Sequence, residues 1–150
     1  MHVDLRALAR FLRIMTVLML VGCALVTVAA WMVLDVLAEP ASLGKQMLPI
    51  LPPLITALGC WVFRHRPPTP VGPQQAQHVR AALMVRSMTP GALIELSSLI
   101  AFLVGYILEI QSMPVIIAAV LAGVLVVAVA WPRMSRLEEW EREMRRQVRR

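Results

Sequence analysis

Four stretches of the chain run apolar with almost no charge inside them, and they set its organisation. The first is Ile14–Leu34, between Arg13 and Asp35. The second is Met47–Phe63, between Lys45 and Arg64. The third lies between Arg86 and Glu109 and is interrupted only by Glu95, and the fourth is Met113–Trp131, between Glu109 and Arg133. About 20 apolar residues cross a bilayer as a helix. None of the runs alternates with period two, as membrane β-strands would, and backbone in hydrocarbon must satisfy its own hydrogen bonds. The pattern predicts an all-α integral membrane protein: a four-transmembrane-helix bundle with spans at about 14–36, 47–63, 91–108 and 113–131, flanked by short amphipathic helices. The first run has the basic start of a signal peptide. Its apolar stretch is much longer than a signal h-region and no A-x-A-like site precedes Trp31, so it is read as a retained span.

The flanks carry their own patterns. In segment 1–13, Arg6, Arg10 and Arg13 share one helical face and Leu5, Leu8 and Leu12 another, which suits a lead-in lying on an anionic leaflet or a simple basic flank. Within the connection 64–90, Pro67, Pro68, Pro70 and Pro73 favour extended chain. From Gln74 to Met88 the residues favour an interfacial helix with Val79, Leu83 and Met84 on one face, predicted to turn at Thr89–Pro90–Gly91 into the third span. The tail 132–150 reads as a charged helix. Glu138–Arg142 and Glu141–Arg145 are acid-before-base pairs at i,i+4. Leu137, Trp140, Met144 and Val148 make a narrow apolar stripe, which together with Arg6, Arg10 and Arg13 forms the expected docking surface toward a partner protein or the bilayer.

Composition agrees with the pattern. The 150 residues are 59% hydrophobic and 16% charged, with a mean hydropathy of +0.71, whereas soluble domains carry about 25% charged residues. A net charge of +6 and a pI near 11.0 would suit a nucleic-acid binder until the charges are placed. With four spans, 14 of the 15 basic residues fall on one side. Together with five acids they give that side +9, while the two short outer connections total −2. The excess is therefore an orientation signal, with both termini cytoplasmic in an inner membrane. The tail interleaves four Glu with its Arg, which argues against nucleic acid.

Candidate chemistry is sparse. Glu95 is a carboxyl group about one turn inside the third span, with Ser98, Phe102 and Gly105 following at helical spacing. Such a residue faces protein or water rather than lipid. It is read as a proton- or cation-handling group, as a structural hydrogen-bond or salt-bridge partner, for example of Arg64 or Arg66, or as a carboxyl group simply close to the inner interface. Ala119 and Gly123 on the fourth span, with Ser98 and Gly105 on the third, are candidate positions for close helix packing. Pro49, Pro52 and Pro53 place irregularity in the first half of the second span. Cys23 and Cys60 differ in depth, which argues against a disulfide. No metal-ligand spacing, phosphate-binding loop or nucleophile motif occurs, so no metal, cofactor or enzymatic activity is expected. The expected function is a non-enzymatic accessory, assembly or scaffolding subunit of a larger inner-membrane complex. Its partners would be membrane lipids and another membrane protein or a second copy of itself. The alternatives are a small oligomeric proton, cation or solute transporter using Glu95, and a lipid-interacting protein.

Overall fold

A computed structural model describes residues 4–37, 42–65 and 76–148, with side chains placed for 4–36, 42–62 and 81–142. Its elements are α1 (Leu5–Leu37), α2 (Leu43–Met47), a 3₁₀ turn (Leu48–Ile50), α3 (Leu51–His65), α4 (Ala76–Ile107), α5 (Ser112–Ala130) and α6 (Met134–Val148). The described chain is all-helical, and three of its helices are long and apolar enough to cross a membrane: Leu5–Val36, Ala81–Ile107 and Ser112–Ala130. The expected span 47–63 is helical but does not form one α-helix. Pro49 sits second in the 3₁₀ turn and Pro52–Pro53 lie in the first turn of α3, each removing a backbone donor where a longer helix needs one. At 15 residues, α3 is about 22 Å long.

Two expectations about the flanks are corrected. The lead-in 1–13 is not a separate surface helix. From Leu5 it belongs to α1, whose 33 residues reach about 50 Å, well beyond a hydrocarbon core of about 30 Å. Likewise the chain does not turn at Thr89–Pro90–Gly91. The interfacial segment and the third span are one helix, α4, with Pro90 inside it. Proline removes one i→i−4 bond, yet neighbouring helices hold the chain on course here. Pro90 and Gly91 are buried, and the Cys60 thiol of α3 donates to the Pro90 carbonyl at 3.6 Å.

The core is a three-helix arrangement of α1, α4 and α5, with α3 packed on the α4 side. The buried face of α1 is Leu8, Leu12, Thr16, Met19, Cys23, Val26, Ala30 and Leu34, a stripe at three- and four-residue spacing. Gly91 of α4 meets Met19 of α1 and Ala130 of α5, whereas Gly105 meets Leu34 and Val115. Thus α1 and α4 run parallel, and α5 runs antiparallel to both. α3 turns Cys60 and Pro53 inward and leaves Leu54, Ile55, Leu58 and Trp61 exposed.

Beyond this core lies a second packed layer. Leu8, Ala9 and Leu12 of α1, Leu83 of α4 and Leu137 of α6 form a buried cluster, flanked by Leu5, Met84, Met134 and Trp140. Arg86 lies over the Trp140 ring, 4.9 Å from its centre. α6 reaches this layer because α5 stops sharply. Trp131 precedes Pro132 and is extended at ψ 119°, as a residue before proline is driven to be.

Two helix ends depend on carboxylates. Asp4 caps α1, its Oδ1 accepting from the N–H groups of Arg6 and Ala7 at 3.0 Å each. The bond from Ala7, against desolvation and with help from Arg6 N–H and the Arg10 and Arg6 charges, holds the Asp4 carboxyl below its usual range. A depressed folded pKa stabilises above the unfolded value, near 4, and that contribution is lost as pH falls through the folded value. Hydrogen exchange at Arg6 and Ala7 is therefore expected to accelerate, relative to the rest of α1, on acidification below about pH 4; Asp4→Asn should flatten that response. At the other end of the core, α5 has no side-chain cap of its own, and the Ser112 N–H instead donates to Asp35 Oδ1 of α1 at 3.3 Å.

The α4–α5 connection is a helix-ending motif with Glu109 at φ 52° and Ile110 N–H bonded to the Gly105 carbonyl at 2.9 Å. This is the six-to-one bond of a Schellman end, where glycine is the usual left-handed residue. Glu109 is exposed, so its side chain offers little to offset the strain. Glu109→Gly is expected to raise unfolding stability by about 0.5–1 kcal/mol, read from denaturation in detergent. A loss of stability would show that the glutamate side chain matters at this turn.

Candidate functional site

Among the described residues, Glu95 is the one charged side chain inside the slab defined by the α5 helix. Gly91 is level with Ala130, the last residue of α5, and Glu95 lies four residues further, about 6 Å deeper. A charged residue costs about 2.5–3.5 kcal/mol at a membrane helix centre and less toward an end. The side chain crosses to α1, where a Cβ built at Gly22 would collide with the Glu95 carboxylate. Glycine at position 22 is what gives the carboxylate its place. Around it stand Ser98 of α4, fully buried, and Cys23 of α1, whose thiol lies beside the Ser98 hydroxyl. Gly123 of α5 faces Leu20 and Cys23. Glu95 itself is only partly buried on the α1–α4 seam.

The hydroxyls of this region turn back on their own helices. Ser98 Oγ donates to the Glu95 carbonyl at 2.7 Å and Ser97 Oγ to the Ile94 carbonyl. Thr16 Oγ1 donates to Leu12 O at 2.9 Å and Thr27 Oγ1 to Cys23 O at 3.1 Å. No hydrogen bond or ion pair to the Glu95 carboxylate occurs among the described residues. Arg64 and Arg66, its expected partners, have no described side chains. Both cysteines are free thiols. Among the described residues no three His, Cys, Asp or Glu come together as a metal site would require.

The other site residues expected from sequence divide. Ala119 and Ser98 are fully buried. Gly105 is a true close approach, because a Cβ there would sit 2.5 Å from Val115 Cγ2 and 3.3 Å from Leu34 Cδ1. Gly123 is not, because its nearest neighbours would be at an ordinary 3.7 and 3.9 Å. Leu137 is 2% exposed and Trp140 partly buried, and these two stripe positions pack against the chain's own α1 and α4. The side chains of Met144 and Val148 lie outside the described residues. Arg6, Arg10 and Arg13 are exposed.

Gly22, Gly91 and Asp35 were not singled out as contact residues by the sequence. Gly22 had no visible partner until α1 and α4 were paired, Gly91 read as part of a turn, and Asp35 read as an ordinary interfacial acid. Fold and site together define an all-helical chain with three apolar helices of membrane-crossing length and one carboxyl group set into their packing. No family model matches the chain, nor does any curated protein or solved structure.

Proposed function

We propose that this protein is a non-enzymatic accessory or assembly subunit of a larger inner-membrane complex, with four crossings and both termini cytoplasmic. The observation that carries the reading is the setting of Glu95. Its carboxylate sits partly exposed on the α1–α4 seam, while the neighbouring hydroxyls are spent on their own helix carbonyls. A transport path needs successive polar groups along one route, and among the described residues Glu95 has no relay. A single carboxyl group on a packed seam suits instead one hydrogen-bond contact with a partner helix. The parallel course of α1 and α4 supports a fourth crossing, since residues 38–75 must return the chain from the Leu34 end to the Leu83 end. α3, with Cys60 on Pro90, lies along that return. The basic termini and connection 64–90 then share one side, as the cytoplasmic face requires.

Purification from source membranes in mild detergent tests this. The expected result is one defined membrane protein at fixed stoichiometry, retained by Glu95→Gln and weakened at least tenfold by Glu95→Leu. Isolation as a lone homo-oligomer would overturn the reading. An ion flux in liposomes that Glu95→Gln abolishes would establish the transporter alternative in its place.

A further inference from the structure

The two-layer packing leaves a small, partly open crevice where α4, α5 and α6 meet at the end of the apolar slab. Its wall is apolar, from Pro90, Val129, Ala130 and Leu137. Its mouth is cationic, with Arg86, Arg133 and Arg136, and among the described residues no acid lines it. Trp131 and Trp140 complete the lining, the ring type that settles at headgroup level. Inside, Ser87 Oγ is buried and has no hydrogen-bond partner among the described residues. The N-terminus of α6, the positive end of a 15-residue helix, also opens here through Arg133 and Arg136, which favours an anion. Arg86 is held in position by the Trp140 ring.

We infer that this cleft binds the phosphate of an anionic phospholipid, independently of whether the protein serves as a complex subunit. Arg133 and Arg136 meet the phosphate oxygens, Ser87 donates to one of them, and the Pro90–Val129–Ala130 wall takes the start of an acyl chain. The amphipathic lining is what selects a lipid over free phosphate. A charged mouth alone would serve either, but the apolar wall has no use for an inorganic ion. The position fits as well, because α5 leaves the hydrocarbon at Ala130–Trp131, where lipid phosphates lie.

The full chain, delipidated in detergent, is titrated with phosphatidylglycerol, phosphatidylcholine or inorganic phosphate, and bound lipid is counted by native mass spectrometry. Saturable binding of one phosphatidylglycerol is expected, at least tenfold tighter than phosphatidylcholine. Arg133→Gln with Arg136→Gln should weaken it at least tenfold, and Ser87→Ala a few-fold, whereas Arg6→Gln with Arg10→Gln should leave it unchanged. Circular dichroism of each variant shows that the helices persist; if the double variant loses them, Ser87→Ala decides. Equal loss in both arginine pairs, or none in the cleft variants, would overturn the site. Displacement of the lipid by millimolar inorganic phosphate would overturn the lipid as its ligand.

Discussion

Gly105→Ala is expected to destabilise the bundle by about 1–3 kcal/mol, the usual cost of overpacking, while Gly123→Ala should be neutral or stabilising. The two glycines look alike in sequence, each within a small-residue pattern on an apolar helix. At Gly105 a methyl group would press on Val115 Cγ2 at 2.5 Å and Leu34 Cδ1 at 3.3 Å, so three helices meet there with no room between them. Neither neighbour is the free end of a long flexible side chain. Val115 is branched at Cβ, which leaves it few rotamers, and both residues are fully buried. At Gly123 the added methyl would only make ordinary contact with Leu20 and Cys23, and alanine is the better helix former by up to about 1 kcal/mol. Denaturant titration in a fixed detergent, followed by helical circular dichroism, separates the two. Equal effects would mean that the α4–α5 spacing at Val115 is looser than the structure has it.

Leu137→Ala should release α6 from the bundle, at a cost of about 2–4 kcal/mol for a fully buried leucine. Leu137 packs with Leu8, Leu12 and Leu83, so its loss opens a cavity where three helices join outside the apolar slab. The expected readout is local. Proteolysis after the arginines of α6 should quicken many-fold while α1, α4 and α5 stay protected, since helices can open as separate units. Glu139→Ala, at an exposed position two residues further along α6, should change the cleavage rate little. If Leu137→Ala left cleavage unchanged, α6 would not be docked as described, and the lipid cleft that α6 helps to build would fall with it.

Much of this fold was legible from where charges are missing. The α5 run Ser112–Ala130 begins and ends within a residue of the expected 113–131, because Pro114 and Pro132 mark its two ends and no charge lies between. The apolar part of α1 and the irregularity at Pro49–Pro53 were equally plain. Gly105, Ser98 and Ala119 stood out as small residues at helical spacing. Pro90–Gly91 was misleading. In isolation that pair signals a turn, but membrane helices continue through proline when their neighbours hold the chain, and Cys60, Met19 and Ala130 do so here. The tail stripe was visible as a docking face, yet nothing local could say that its first two members, Leu137 and Trp140, dock on α1 and α4 of the same chain.

The amino-acid sequence by itself determined the helical, membrane-compatible class of this protein and its apolar segments. Those depend on local composition, since hydrocarbon excludes ions and unpaired backbone wherever the chain enters it. Only the tertiary structure decided that α1 and α4 run through into a second packed layer, that Asp35 caps α5 across the bundle, and that Gly22 makes space for Glu95. Each of these joins residues far apart in the chain, 73 positions apart for Gly22 and Glu95, and a helical period reports which face a residue lies on but not which face it meets. The same holds for the cleft. Arg86, Trp131 and Arg136 carry no shared local signal, and they become neighbours only because Pro132 stops α5 and turns α6 back beneath it.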